Sequence, residues 1–281
     1  MPGFLTIAGY LLAAGLLAAG LFKDVRRLRL AGAAAGCAAA LLHGIHLAST
    51  LTVPGGYDLN IFNSLSLVSW LTVVFILLSA LRWQLLEVGV LAFPGAALWV
   101  VLQIALDPTP VVLSQAPPII EAHVAASLVA YAILAIAALN ALAIAMQDYI
   151  LRRHRATGLL SILPPLTTME SLLFQLILAG WVVLTLSLAT GFVFLDENLL
   201  ARHLAHKTIL SVASWVVFGL LLFGRWRFGW RGRTAVAMTL SGMFILVLAY
   251  FGSKLVLEVI LDRTWLQSTG TALQHTFRPA E

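Results

Sequence analysis

Eight apolar stretches, each about as long as a bilayer is thick, divide this chain, and only short polar segments separate them. In hydrocarbon every backbone N–H and C=O must find its partner within the protein, so a spanning segment is a helix or part of a closed barrel. These runs are continuous, rich in Leu and Ala, and show no period-two alternation, which selects helices. The expected fold class is all-α: a polytopic integral membrane protein with about eight transmembrane helices. The spans read as residues 4–22, 30–53, 63–81, 85–106, 119–146, 168–195, 206–224 and 235–258. With 281 residues, 61% of them hydrophobic and 10% charged, no room is left for a soluble domain of ordinary size. Residues 1–261 are expected to form one eight-helix transmembrane domain, with 262–281 a polar outer tail.

Charge orients the chain. Lys23, Arg26, Arg27 and Arg29 fall in one connection, Arg82 in the third, Arg152, Arg153 and Arg155 in the fifth, and Arg225, Arg227, Arg231 and Arg233 in the seventh. Alternate connections hold Asp58, Asp107, Asp196, Glu197 and Arg202 instead. The positive-inside rule puts the first set in the cytoplasm and both termini outside. The net charge of +5 is thus topogenic, and no nucleic-acid partner is expected. No positive residue precedes the first apolar run, so it reads as an uncleaved span rather than a signal peptide. The single cysteine, Cys37, excludes an intramolecular disulfide and a cysteine-built metal site.

Some features read as packing. Gly32 and Gly36 bracket three alanines and form a small-residue contact face. Pro117-Pro118 and Pro164-Pro165 precede spans five and six, where proline suits a first helical turn, and Pro94 is expected to kink span four. Trp70, Trp83, Trp99, Trp226 and Trp230 fall near the expected interfaces, where indole rings gather.

Four histidines sit in or at the edge of apolar runs: His43, His46, His123 and His206. An ionisable side chain in a bilayer usually has a task, and imidazole binds haem iron and other transition metals. His43 and His46 share one face of span two, about 15 Å and 10 Å below its outer end at 1.5 Å per residue. They read either as hydrogen-bonded links between helices or as ligands completed from other helices. His123, in the first turn of span five, reads as a ligand or as a helix-start residue, with Glu121 a candidate orienting partner for its second ring nitrogen. His206 opens span seven beside Lys207, with His203 one turn before it. Lys207, Arg202 and Lys254 form a possible cationic collar, suited to haem propionates or to lipid headgroups. His154 lies among the basic residues of its loop, and His275 in the tail reads as solvated.

Enzyme signatures are missing: no phosphate-binding glycine loop, no nucleophile elbow, no buried acidic pair. The expectation is a protein that is not an enzyme. The spans also lack the deep acids typical of proton-driven transport, which lowers the reading of a small-molecule or ion transporter.

The run Glu121-Ala-His123-Val-Ala-Ala-Ser-Leu-Val-Ala-Tyr131-Ala resembles the histidine-bearing span of the cytochrome c assembly family, which handles haem at the outer membrane face. The stretch 207–218 resembles the span after that family's tryptophan-rich loop, and Ala249-Tyr250-Phe251-Gly252 resembles its last span. Within the family, the runs 224–233 and 248–253 look typical of the YpjD-like subgroup of small eight-span inner-membrane proteins. The resemblance covers nearly the whole chain. It implies an inner-membrane protein that binds or handles haem b, with His123 matching the first outer histidine and His43 placed like the first histidine within the membrane. Phe223 and Leu261 stand where the family's haem exporters have two further histidines, and 190–205 contains no tryptophan. His206 is a candidate replacement ligand on position alone. Expected partners are haem, the bilayer and, for a scaffold or regulator that kept the fold without haem chemistry, another membrane protein.

Overall fold

The computed structural model describes residues 2–79, 86–106, 112–113, 118–152, 165–193 and 202–252, with the side chains at 113, 193, 202–206 and 251–252 excluded. Lys254, Leu261, His154, His275 and the 262–281 tail lie outside the described residues, as do Arg82, Trp83, Asp107, Asp196 and Glu197. Eight helices follow one another: α1 (Pro2–Phe22), α2 (Arg26–Leu51), α3 (Ile61–Ser79), α4 (Gly89–Ala105), α5 (Pro118–Arg152), α6 (Leu166–Val193), α7 (Arg202–Phe228) and α8 (Gly232–Val247). Each, with its flanking turn where it has one, is long and apolar enough to cross a membrane. The all-helical polytopic expectation is met.

The helices group into two halves. Tyr10, Ala13 and Leu17 of α1, Ala39 and Ala40 of α2, and Phe93, Ala96 and Ala97 of α4 share one core with Val73 of α3. A second core joins α5 to α8 and reaches α3 through Val68. Close approach in the first half depends on glycine. A Cβ at Gly32 would lie 2.8 Å from Leu17, and one at Gly36 would lie 2.8 Å from Phe93. The small-residue face of α2 therefore serves both α1 and α4.

Two helices differ from the expected spans. Helix α5 continues six residues past Met146, because Gln147 and Asp148 are polar but do not break a helix, and Asp148 pairs with Arg152 one turn on at 2.9 Å. At its 35 residues α5 is about 52 Å long and overshoots the hydrocarbon core. Helix α8 gives way at Leu248 to a π-helical turn, Leu248–Gly252. Pro94 lies inside α4, which runs through it without a break.

A small sheet was not foreseen. Strands β1 (Thr52–Val53), β2 (Gly56–Asp58) and β3 (Val112–Leu113) pair antiparallel in that order. Pro54 and Gly55, the latter at φ +94°, make the turn between β1 and β2, the residues a type II turn favours. Beyond β2, Asn60 caps α3 by accepting the Asn63 N–H at 2.9 Å. The buried Asp58 carboxylate in turn accepts from the Asn60 backbone and side-chain amides at 3.1 and 3.0 Å. Gln103 of α4 donates to Asn63 at 2.7 Å and to Thr50 at 3.0 Å, tying α2, α3 and α4 together at this end.

Candidate functional site

The helix directions fix where chemistry can gather. Helix α5 starts, α6 ends, α7 starts and α8 ends on the side of the bundle that carries the sheet. Between these four ends lies a cavity of about 310 Å³, its polar lining including His123, Ser127, Tyr131, Ser187, Lys207 and Tyr250. The rest of the wall is largely aliphatic, with Leu128, Leu184, Leu188 and Leu246.

His123 reaches this cavity with one ring nitrogen anchored. Its Nδ1 lies 2.9 Å from the Ser187 carbonyl and 3.2 Å from Thr190 Oγ1. A carbonyl only accepts, so Nδ1 carries the hydrogen and donates it. The Thr190 hydroxyl donates to the α6 carbonyls of Ser187, at 2.8 Å, and Leu186, so it too accepts from Nδ1. In the neutral ring Nε2 then presents a lone pair, and it has no hydrogen-bond partner among the described residues. Gly191 makes the approach possible: a Cβ there would lie 3.1 Å from His123 Cε1. The orienting partner expected from sequence, Glu121, does not hold this role. Two residues away on a helix it faces another direction, and it is exposed.

The neighbourhood is rigidly braced. Ser127 bonds the His123 carbonyl at 2.8 Å and lies 2.6 Å from Ser187 Oγ. Tyr131 donates to the Leu246 carbonyl at 2.6 Å, just before the π-helical turn, and its ring meets that of Tyr250. The Lys207 ammonium stands 6.0 Å from the Tyr250 ring centroid, a cation–π distance. Further down, Trp181 and Trp215 stack at 5.2 Å between α6 and α7.

His43 is a different case. It is fully buried, with Tyr10 Oη 3.0 Å from Nδ1 and Ser66 Oγ 2.9 Å from Nε2. Both ring nitrogens are engaged by hydroxyls, so His43 joins α1, α2 and α3. The ring expected as a deeper ligand is thus held between two hydroxyls in this structure. His46 is buried on the same helix face, its Nε2 unpartnered and packed beside Gly3. Neither residue lines the His123 cavity. Arg202 and His206 are the first and fifth residues of α7, His206 directly before Lys207, but their side chains are outside the description, as is Lys254. Phe223, where a further family histidine would stand, is 50% exposed and sits among aromatic rings near the far end of α7. Among the described residues no group of three or more His, Cys, Asp or Glu is arranged to hold a metal ion.

The sequence missed Ser187, Thr190 and Gly191 as orienting residues, and Tyr10 and Ser66 as the partners of His43. Nothing in local spacing marks a backbone carbonyl or one hydroxyl among many as the neighbour of a distant ring.

A family profile described as Cytochrome C assembly protein matches residues 32–261. The chain belongs to the cytochrome c assembly protein family. Among family-like relatives, the inner membrane protein YpjD of Escherichia coli K12 is 35% identical over 266 residues, covering 92% of this chain and all of that protein. An uncharacterized 28.8 kDa protein of Azospirillum brasilense is 43% identical over 157 residues, 55% of this chain and 58% of its own length. No solved structure matches the chain. Eight membrane-crossing helices and the inner-membrane relative make this cytochrome c assembly family protein a multi-pass inner-membrane protein.

Proposed function

We propose that this protein binds haem b at the α5–α8 cavity through Nε2 of His123, as a haem-handling membrane protein related to cytochrome c biogenesis, and that it is not itself an enzyme. The observation that carries the reading is the tethered ring of a cavity-lining residue: Nδ1 is held by the Ser187 carbonyl, and Nε2 is not engaged by any described residue. Histidine ligands of metals characteristically donate their other nitrogen to a carbonyl or carboxylate in this way.

The donor set fits a single imidazole that would hold the iron. The Ser187 carbonyl and Thr190 hydroxyl hold the ring and its tautomer. The aliphatic wall offers apolar contact to a porphyrin, and Lys207 supplies a cation of the sign a propionate needs. At about 310 Å³ the cavity stands at the lower limit of roughly 300 Å³ for ligand pockets, so the fit rests on the donors rather than on size. Bound there, haem would supply a redox-active iron. His206, one residue before Lys207, is the candidate second residue that would hold the haem iron. The charge distribution between connections supports placing the cavity and both termini on the outer side of the membrane.

The test is a haemin titration of the purified protein in detergent. A Soret band saturating at one haem per chain, and absent in His123→Ala, is the expected result. An unchanged band in that variant overturns the assignment.

A second reading has its own support. His43 has no free nitrogen, and His123 is the sole described imidazole at the cavity. A scaffold or regulator that kept the fold without haem chemistry would show no Soret band, would retain function in His123→Ala, and would co-purify with another membrane protein.

A further inference from the structure

At the opposite end of the bundle, the turn between α7 and α8 carries an aromatic and cationic surface that the haem reading does not use. The run 224–233 contains four arginines and no acid. Gly229, at φ +68°, ends α7 in a left-handed cap, with its N–H on the Arg225 carbonyl at 3.1 Å and the Trp230 N–H on the Gly224 carbonyl at 3.2 Å. Trp230 then folds back over Gly224, where a Cβ would lie 2.2 Å from its ring. Glu170 of α6 accepts the Gly232 N–H at 2.8 Å and fixes the start of α8. The turn is thus a built shape rather than a loose loop.

On this frame the rings form a series. Phe223 lies 6.1 Å from both Trp226 and Phe228, and Phe228 stacks on Trp230 at 6.1 Å. Trp226 is 81% exposed and Phe228 64%. The arginines around them divide in two. Arg225 lies over the Phe174 ring at 4.7 Å and reaches the Trp230 carbonyl, and Arg233 reaches Asp148 at 3.4 Å. Arg227, above the Phe228 ring at 5.8 Å, and Arg231 are exposed, with no carboxylate in ion-pair range among the described residues. The neighbouring connections, 80–85 and 153–164, contain no acid in their sequence.

We propose that this surface is a binding site for one anionic phospholipid, its phosphate held by Arg227 and Arg231 and its glycerol and upper acyl segments against Phe223, Trp226 and Phe228. Charge complementarity favours this occupant. Two uncompensated guanidinium forks suit a phosphodiester, and exposed indole and phenyl rings at a helix end suit the boundary between headgroup and chain. A soluble phosphate would use the arginines but not the rings.

Native mass spectrometry of the whole protein in detergent, titrated with dioleoylphosphatidylglycerol or dioleoylphosphatidylcholine, reads the preference. Wild type is expected to retain phosphatidylglycerol well above phosphatidylcholine. Arg227→Gln with Arg231→Gln should weaken phosphatidylglycerol by about 30-fold, and Trp226→Ala by a smaller factor. The exposed pair Arg26→Gln with Arg27→Gln, at the α1–α2 turn, should leave binding within about twofold. Equal retention of the two lipids, equal loss from both arginine pairs, or complete displacement by millimolar inorganic phosphate would each overturn the site. Haem loading plays no part in this readout, so its failure and that of the haem assignment are separable.

Discussion

His43 and His123 are both imidazoles within apolar helices, yet the two halves of the bundle treat them in opposite ways. In the first half, hydroxyls from two different helices face the two nitrogens of His43, and whichever tautomer forms, one hydroxyl donates and the other accepts. In the second half, a carbonyl and a hydroxyl converge on the same nitrogen of His123, a residue that lines a cavity, and leave the other nitrogen unengaged among the described residues. Burial alone therefore does not decide whether a membrane histidine is a ligand. On the proposed haem reading, what separates the two is how many ring nitrogens the neighbours engage.

The largest expected effect comes from the open ring. His123→Ala should abolish haem binding, a loss of at least the roughly 100-fold that removing an orienting partner of a metal ligand can cause. The check is the Soret titration. His43→Ala should leave that titration unchanged and act on stability instead. It would empty a fully buried volume and strand the Tyr10 and Ser66 hydroxyls, at a cost of about 2–4 kcal/mol in detergent-solubilised protein. If His43→Ala removed the Soret band while the protein stayed folded, the contrast between the halves would be wrong.

A finer comparison uses two helix-interior glycines. Gly191→Ala would place a methyl 3.1 Å from His123 Cε1, closer than the ring accommodates without tilting. Haem affinity should fall by about 3- to 10-fold, at the low end of orienting-partner effects, since Nδ1 keeps its carbonyl. Gly95→Ala meets nothing within 4 Å in α4 and should stabilise by up to about 1 kcal/mol, through helix propensity, without changing affinity. Equal affinity losses from both substitutions would mean that Gly191 acts through the helix rather than through the ring.

How much of this the sequence carried depends on the range of each interaction. The eight spans were legible because their cause is the bilayer, which acts on every residue of a run. The extension of α5 to Arg152 was not, because apolar length marks where hydrocarbon ends and not where a helix does. Two-residue strands have no period to detect, so the sheet was silent. His123 stood out as an imidazole at a helix start, but the group that orients it is largely the backbone carbonyl of Ser187, which every residue possesses. The engagement of His43 was hidden for a related reason. Tyr10 and Ser66 belong to other helices, α1 and α3, which approach α2 closely where Gly9 meets Ala39 and Gly44 meets Trp70.

The smallest expected effect sharpens the comparison most. Tyr10→Phe removes one hydroxyl and little else, because the ring stays stacked on Phe93 at 5.9 Å and edge-on to His43 at 5.6 Å. The loss should be about 0.5–1.5 kcal/mol, the net worth of one hydrogen bond, read from thermal unfolding in detergent. The substitution also frees Nδ1 of His43. If an unengaged nitrogen were sufficient to make a ligand, the variant would take up a second haem per chain. If a cavity is required as well, the stoichiometry stays at one, and that is the expected outcome, since His43 lies against Tyr10 and Ser66 and lines no part of the His123 cavity. A haem titration of Tyr10→Phe thus separates the two conditions that His123 meets together.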